Sequence, residues 1–175
     1  MARLDAKLLS SLIAELRRRH PGIFIIAFPH WGWNYDWKSI RQEQEAKNLL
    51  AAGVDLVLGH SAHRMQEVER VEGRWVVYSL GNFMFGSPGR YAELHSPPFS
   101  LVAMLMFRVV DRQLQPFLKL YPILSDNLQT GYRPRLVNET EFADVVQLLR
   151  QRSSSHDLMR TGVDNLGSHL RLELR

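Results

Sequence analysis

Three histidines in two short segments are the residues of this chain best suited to chemistry. His30 opens the segment HWGWNY (residues 30–35), and His60 and His63 lie in the segment GHSAH (residues 59–63). Each segment directly follows an apolar run rich in β-branched residues, and the loops that follow such strands carry the ligand-binding groups of α/β sheets. Imidazole is a good ligand for borderline divalent metals. The pattern therefore predicts metal binding.

Composition limits the classes of protein to consider. The chain has 175 residues, of which 45% are apolar and 23% charged, as expected for one soluble globular domain. The sequence contains no cysteine, so any metal must bind imidazole, carboxylate or carbonyl groups. The net charge of +4 comes largely from arginines scattered through both termini, which argues against nucleic-acid binding.

The sequence as written carries no recognisable targeting signal. No apolar run approaches the ~20 residues of a membrane span. The N-terminus lacks the uninterrupted apolar region of a signal peptide. These features predict a cytoplasmic protein.

The histidine segments lie in a strand–helix–strand pattern. Residues 23–28 form a continuous apolar run that is typical of a strand buried on both faces. A capping-box pattern of Ser39 and Gln42 begins a helix, which Gly53 ends. Residues 54–58 follow as a second buried strand, and the two strands should be parallel with a right-handed crossover. The histidine segments then follow the carboxyl ends of both strands.

Other patterns predict the rest of the fold. An amphipathic helix should end at Pro21, and short turns within residues 68–78 and 99–124 predict two hairpins, so that the sheet becomes mixed. Residues 139–151 should form a helix with one buried stripe. The polar stretch 153–175 should be weakly ordered or form a short final helix.

Four ordered features resemble the CapA family of capsule and poly-γ-glutamate biosynthesis proteins, which belongs to the calcineurin-like metallophosphoesterase superfamily. They are HWGWNY at 30–35, Gln44 in the following helix, GVDLVLGHSAHRMQ at 53–66 and VVYSLGNFMF at 76–85. The resemblance covers roughly residues 1–125. It implies a metallophosphoesterase-like α/β sandwich with mixed sheets and without its N-terminal half. Residues 1–152 would be the C-terminal portion of that domain, and residues 153–175 a polar tail.

The resemblance also implies which residues carry the function. It predicts up to two divalent metal ions, manganese, zinc or iron, with three ligands from this chain: His30, His60 and His63. Beside the metal, three residues are candidates for binding an anionic or phosphorylated substrate: Asn34, Tyr35 and Asn82. Full-length family members are often anchored in the membrane at the cell envelope.

Two roles follow from this resemblance. In the superfamily the remaining metal ligands come from an N-terminal half, whose motifs do not occur in this sequence. Asn34 stands where the family usually has glutamate, and Ser61-Ala62 where it often has a His-Pro pair. The chain is therefore either a metal-dependent hydrolase once completed, or a non-catalytic, truncated or degenerate homologue that serves as a binding or assembly subunit. Its partners would be polyglutamate synthesis machinery, a complementary N-terminal half or a second copy.

Several neighbouring side chains have a plainer structural interpretation. Asn82 either contacts a ligand or only shapes a turn. Arg64 and Gln66 should lie at the surface rather than contact an anionic substrate. The nearby aromatic residues either line a substrate groove or pack within the loop itself. They are Trp31, Trp33, Tyr35 and Trp37. The remaining histidines should be solvated: His20, His95, His156 and His169.

Overall fold

Two β-sheets and five α-helices are present in the part of the chain that the structure, a computed structural model, describes: residues 6–86 and 89–174. The helices are α1 (Ala6–Arg19), α2 (Ile40–Ala51), α3 (Arg90–Glu93), α4 (Asn127–Thr130) and α5 (Glu139–Arg152). The strands are β1 (Ile26–Ala27), β2 (Leu56–Leu58), β3 (Val68–Val71), β4 (Arg74–Val77), β5 (Phe99–Val110), β6 (Gln113–Leu124), β7 (Arg135–Leu136), β8 (Arg160–Asp164) and β9 (Gly167–Glu173).

The first sheet contains the predicted strand–helix–strand unit. Its strand order is β1-β2-β4-β3, with β1, β2 and β4 parallel and β3 antiparallel to β4, so the predicted mixed sheet is confirmed. Ser39 begins α2 with a capping box, because its hydroxyl accepts from the Gln42 backbone N–H while the Gln42 side chain accepts from the Ser39 N–H. This cap fixes where the loop after β1 ends.

Strand β1 is shorter and more exposed than its sequence predicts. Only Ile26 and Ala27 pair with β2, and the Ile26 side chain is 39% exposed. The prediction of a strand buried on both faces over residues 23–28 is therefore wrong. Since β1 lies at the end of the described strand order, one of its flanks has no neighbouring strand to cover it.

The second sheet contains one of the predicted hairpins and an unpredicted one. Strands β5 and β6 pair along their whole length, and β9 and β8 follow in the order β5-β6-β9-β8. The expectation of weak order or a short final helix in residues 153–175 is wrong, because this region contains both β8 and β9. Leu170, Leu172 and Leu174 alternate and are buried, so one face of β9 packs inward while polar residues face outward. The predicted division of the chain into a domain portion over residues 1–152 and a tail over residues 153–175 stays a prediction.

The two sheets pack face to face. Leu56, Trp75 and Val77 of the first sheet share one core with Leu118 and with the three alternating leucines of the C-terminal segment. Helices α1 and α2 cover the opposite face of the first sheet. The chain is thus mixed α/β with two sheets, as predicted. None of the helices within the described ranges is long and apolar enough to cross a membrane.

Candidate metal and substrate site

His30 and His60 lie side by side beyond the carboxyl ends of β1 and β2. The parallel pairing continues past both strands, because the His60 N–H donates to the Pro29 carbonyl (3.1 Å) and the Trp31 N–H donates to the His60 carbonyl (3.0 Å). The rings of His30 and His60 meet edge to face with their centroids 4.9 Å apart. His30 is exposed and His60 half-buried, so a ligand can reach both imidazoles.

The surroundings of His60 favour the neutral form of its imidazole. Burial lowers the pKa of its imidazole, and the positive charge that His30 can carry lowers that pKa further. The Phe28 ring stacks on His60 with a centroid distance of 4.4 Å. A metal ion requires neutral imidazole, so this environment favours the form of His60 that binds metal.

Trp31 is part of the packing that fixes the loop. Its indole N–H donates to the Tyr78 carbonyl at 2.6 Å, and only 3% of the residue is exposed. A Cβ atom at Gly59 would lie 2.2 Å from Trp31 Nε1 and 2.1 Å from the Tyr78 carbonyl oxygen, so only glycine fits between them. Trp33, in contrast, is 73% exposed. The packing interpretation therefore holds for Trp31.

His63 belongs to a second cluster, with Asn82 and Tyr35. Its Nδ1 lies 2.8 Å from Asn82 Oδ1, and because that oxygen is only an acceptor, Nδ1 is the donor in this hydrogen bond and Nε2 points away from it. The Tyr35 ring stacks on the imidazole at 5.6 Å, and Phe85 contacts it at 4.4 Å. Metal-binding histidines are commonly oriented in this way by an acceptor on the second ring nitrogen. Asn82 thus does more than shape a turn.

A buried hydroxyl network behind Asn82 fixes its amide. Asn82 Nδ2 contacts the hydroxyls of Tyr35 (3.4 Å) and Tyr91 (3.3 Å). The Tyr91 hydroxyl donates to the His63 carbonyl (2.9 Å) and also contacts Ser125. Burial raises the pKa of Tyr91, so it stays a neutral donor. Sequence reasoning missed Tyr91 and Ser125, because neither lies in a motif and only the fold brings them to the histidine.

The three predicted substrate-binding residues do not lie together. Tyr35 and Asn82 are buried beside His63, whereas Asn34 is exposed and its side chain makes no hydrogen bond to any residue within the described ranges. Tyr35, Ser61 and His63 all have positive φ (59°, 95° and 60°), a conformation that is costly for residues other than glycine. Such strain clusters at functional sites.

Arg64 and Gln66 are buried, so the prediction that they lie at the surface is wrong. They are 4% and 0% exposed, because the segment after His63 pairs with the chain beyond β4. The Arg64 guanidinium stacks on Trp37 at 3.6 Å, and burial lowers the pKa of Arg64 to about 10. The Gln66 amide donates to the Asp36 carbonyl at 2.9 Å. These contacts tie the first histidine loop to the second.

The histidines fall short of a complete metal centre. Among residues 6–86 and 89–174, no three His, Cys, Asp or Glu side chains are grouped closely enough to hold a metal ion. Protein metal centres of this type use three or four protein ligands. His30 and His60 supply two imidazoles at one point, whereas His63 lies in the separate cluster with Asn82 and Tyr35. The described residues therefore fit a divalent metal only with further ligands.

Two facing sheets with histidine loops beyond the parallel strands agree with a metallophosphoesterase-like α/β fold. Residues 1–87, just under half of the chain, match the family described as "Bacterial capsule synthesis protein PGA_cap", which has that fold. The resemblance to CapA proteins is confirmed, although the family match is shorter than the roughly 125 residues suggested by the motifs. The fold of this family points to divalent metals.

Curated relatives include proteins of two Bacillus species and of Mycobacterium tuberculosis. The "PGA biosynthesis protein CapA" of Bacillus subtilis is 35% identical over 82 residues, which is 46% of this chain and 21% of that protein. The "Capsule biosynthesis protein CapA" of Bacillus anthracis is 42% identical over 62 residues, covering 35% of this chain and 15% of that protein. A "Probable polyglutamine synthesis accessory protein" of Mycobacterium tuberculosis is 32% identical over 68 residues, 38% of this chain and 18% of that protein. The match thus spans about a fifth or less of each relative.

Proposed function

We propose that this chain is the histidine-bearing part of a protein of capsule or poly-glutamate biosynthesis. In this role His30 and His60 bind a divalent manganese, zinc or iron ion together with ligands from outside the described residues. The parallel bridge between the two histidines carries the proposal, because it holds two accessible imidazoles together. The names of the relatives from Bacillus support the biosynthetic role.

The exposed flank of the first sheet suits a partner that supplies those ligands. On β1 and just after it, Ile26 and Phe28 are 39% and 60% exposed, and on α1 Leu12 and Leu16 are 54% and 40% exposed. An apolar surface beside an unpaired strand edge favours association with another polypeptide segment. We propose that such a segment adds carboxylate ligands and gives a centre that hydrolyses an anionic or phosphorylated substrate.

A titration with Mn²⁺ or Zn²⁺ tests the metal-binding part. His30→Ala and His60→Ala should each weaken binding by about tenfold or more, since each removes a ligand. His20→Ala is the matched control, because His20 is an exposed histidine at the end of α1. Equal affinities in all four proteins would contradict the proposal.

A second candidate is a binding or assembly subunit without catalytic activity. The grouping of the described side chains favours it, because no three His, Cys, Asp or Glu side chains among them lie close enough together to hold a metal ion. The chain alone should then bind metal weakly and hydrolyse nothing. Turnover of a phosphodiester by the purified chain, abolished by a chelator and by His60→Ala, would eliminate this candidate.

A further inference from the structure

Strand β5 forms one edge of the second sheet and leaves a long stretch of backbone unpaired. Its first residues are covered, because the Leu101 N–H donates to the Leu80 carbonyl (2.7 Å) and the Phe99 carbonyl accepts from the Met65 N–H (3.2 Å). Residues two apart in a strand direct their backbone groups to the same side. Four further residues therefore direct their N–H and C=O groups away from β6: Ala103, Leu105, Phe107 and Val109. None of these outward groups has a hydrogen-bond partner within the described ranges.

The usual protections of a sheet edge do not occur on this strand. Natural edges are blunted by short length, by bulges, by prolines or by charged side chains. Strand β5 is twelve residues long, pairs with β6 without a bulge, and has Arg108 as its only charged residue. The opposite edge, β8, has only five residues, which include Arg160, Gly162 and Asp164. Of these two edges, β5 is the one that favours pairing with another strand.

Exposed apolar side chains accompany the free backbone of β5. Phe107 and Val109 are 49% and 72% exposed, although they share a face of the sheet with Leu101, which is 5% exposed. The core between the two sheets includes Leu101 and extends to Leu105 but not to Phe107. The end of this strand therefore extends past the core, and its apolar surface favours association with another polypeptide.

A second copy of the chain fits this edge in a symmetric register. An antiparallel pair of β5 strands centred on Met106 places Ala103 opposite Val109 of the second copy, and Leu105 opposite its Phe107. The outward N–H and C=O groups of all four residues then bond across the two copies. The exposed side chains of Phe107 and Val109 are covered in the same step.

A shift of this register by one residue loses hydrogen bonds. A centre at Leu105 places Val109 opposite Leu101, whose N–H is already bonded. A centre at Phe107 places Ala103 beyond the end of β5 of the second copy. The symmetric register described above is therefore the one that uses the free edge completely.

We propose that the chain forms a symmetric dimer through β5, which joins the second sheets of two copies into one continuous antiparallel sheet. Two-fold dimers with a self-complementary surface are the commonest protein oligomers. The register keeps the only charged residue of the strand away from its counterpart, because Arg108 lies opposite Met104 of the second copy and pairs with Glu173 of its own chain (3.1 Å). Strand β5 lies outside residues 1–87, so the dimer does not depend on the function proposed for the histidines.

The size of the interface predicts a reversible dimer. The free residues 102–110 form a seam about 30 Å long, at the usual rise of about 3.4 Å per residue. Since a sheet with its side chains is about 10 Å thick, each copy contributes roughly 300 Å² of projected area. Interfaces that bury less than about 1,200 Å² in total are weak and transient. We therefore expect an equilibrium between monomer and dimer that depends on protein concentration.

Sedimentation velocity over a range of protein concentrations tests the dimer. The unmodified chain should change from monomer to dimer as its concentration rises. Phe107→Lys should raise the dissociation constant at least about tenfold, because each dimer loses two covered phenyl rings and gains two like charges at diagonal positions across the seam. Leu114→Lys is the matched control, since Leu114 is 62% exposed on the same face but lies on β6, away from the seam. A mixture of Phe107→Lys and Phe107→Glu should restore the dimer, because opposite charges then meet.

Cysteine cross-linking tests the register. The chain contains no cysteine, so a single introduced thiol reports on its own position. Met106 should lie opposite Met106 of the second copy with a Cα separation of about 4.5 Å, which is within the range of a disulfide. Met106→Cys should therefore form a disulfide between copies on mild oxidation. Met104→Cys is the matched control, because Met104 is equally half-buried on the same face but would lie about 14 Å from its counterpart and stay reduced.

Three results would overturn the proposal. They are a monomeric mass at every concentration, equal weakening of the dimer by Phe107→Lys and Leu114→Lys, and equal disulfide formation by Met104→Cys and Met106→Cys. The first result would leave this edge to a different polypeptide, and the other two would place self-association elsewhere on the chain. His30→Ala should leave the dissociation constant unchanged, so a failure of the metal-site proposal is measured separately.

Discussion

Replacement of Gly59 by alanine tests how the first histidine pair is positioned. The new Cβ would lie 2.1 Å from the Tyr78 carbonyl oxygen and 2.2 Å from Trp31 Nε1. The backbone cannot yield easily, since the Gly59 N–H donates to the Val77 carbonyl (2.7 Å) and the Gly59 carbonyl accepts from Leu80 (2.9 Å). Both the Tyr78 carbonyl and the Trp31 indole must therefore shift, and the hydrogen bond between them is lost.

The expected cost of this substitution combines two effects. Overpacking of a well-filled core costs about 1–3 kcal/mol. A buried indole N–H without an acceptor costs about 1–3 kcal/mol more. The free energy of unfolding should therefore fall by about 2–6 kcal/mol. Urea unfolding followed by circular dichroism and tryptophan fluorescence measures this loss.

Gly86→Ala is the matched control for this experiment. A Cβ atom there meets no atom within 4 Å, and Gly86 has no positive φ, so its cost should stay within about 0.5 kcal/mol. If Gly59→Ala were no more destabilising than Gly86→Ala, the close packing of Trp31 against the strand end would be refuted.

Two further substitutions test contacts that the structure assigns. The Arg135 guanidinium lowers the pKa of Glu141, so the stabilisation from this pair is fully present above the ordinary pKa of a glutamate and is lost as pH falls through the lowered value. Glu141→Gln should therefore lower the free energy of unfolding by less than about 1 kcal/mol at neutral pH and leave it unchanged in strong acid. Urea titrations at both pH values measure this difference, and an equal loss at both would contradict the pairing. Asn82→Ala removes the acceptor of the His63 Nδ1–H and should lower the free energy of unfolding by about 1–3 kcal/mol. The exposed control Asn34→Ala should lower it by under about 0.5 kcal/mol. Equal losses in thermal or urea unfolding would contradict that hydrogen bond.

Local patterns predict the elements that carry the first histidine pair. The capping box at Ser39 and the apolar run before Gly59 depend on nearby residues alone, and both are confirmed. The meeting of His30 and His60 follows because parallel strands bring their carboxyl ends to one edge of a sheet. This part of the site is therefore predictable without tertiary information.

The rest of the site depends on backbone geometry that residue types do not reveal. Positive φ at Ser61 and His63 turns the second loop toward Asn82 rather than leaving all three histidines in one cluster. Neither residue is a glycine, so the sequence carries no signal for these turns.

The sequence patterns also do not predict which polar side chains are buried. His169 was predicted to be solvated, but it is 4% exposed. It packs against Gly162, where a Cβ atom would lie 2.9 Å from His169 Nε2. This contact forms because strands β8 and β9 pair, and neither strand is predicted from the sequence, so the burial of His169 could not be predicted either. The burial of Arg64 likewise depends on pairing between distant segments.

Paramagnetic line broadening by Mn²⁺ tests the proposed histidine pair most directly. In a spectrum of the imidazole signals, substoichiometric Mn²⁺ should broaden His30 and His60 first, because their rings lie 4.9 Å apart at one accessible point. The exposed histidines His20 and His95 should keep sharp signals. Uniform broadening of all four signals, or unchanged signals of His30 and His60, would contradict metal binding by this pair.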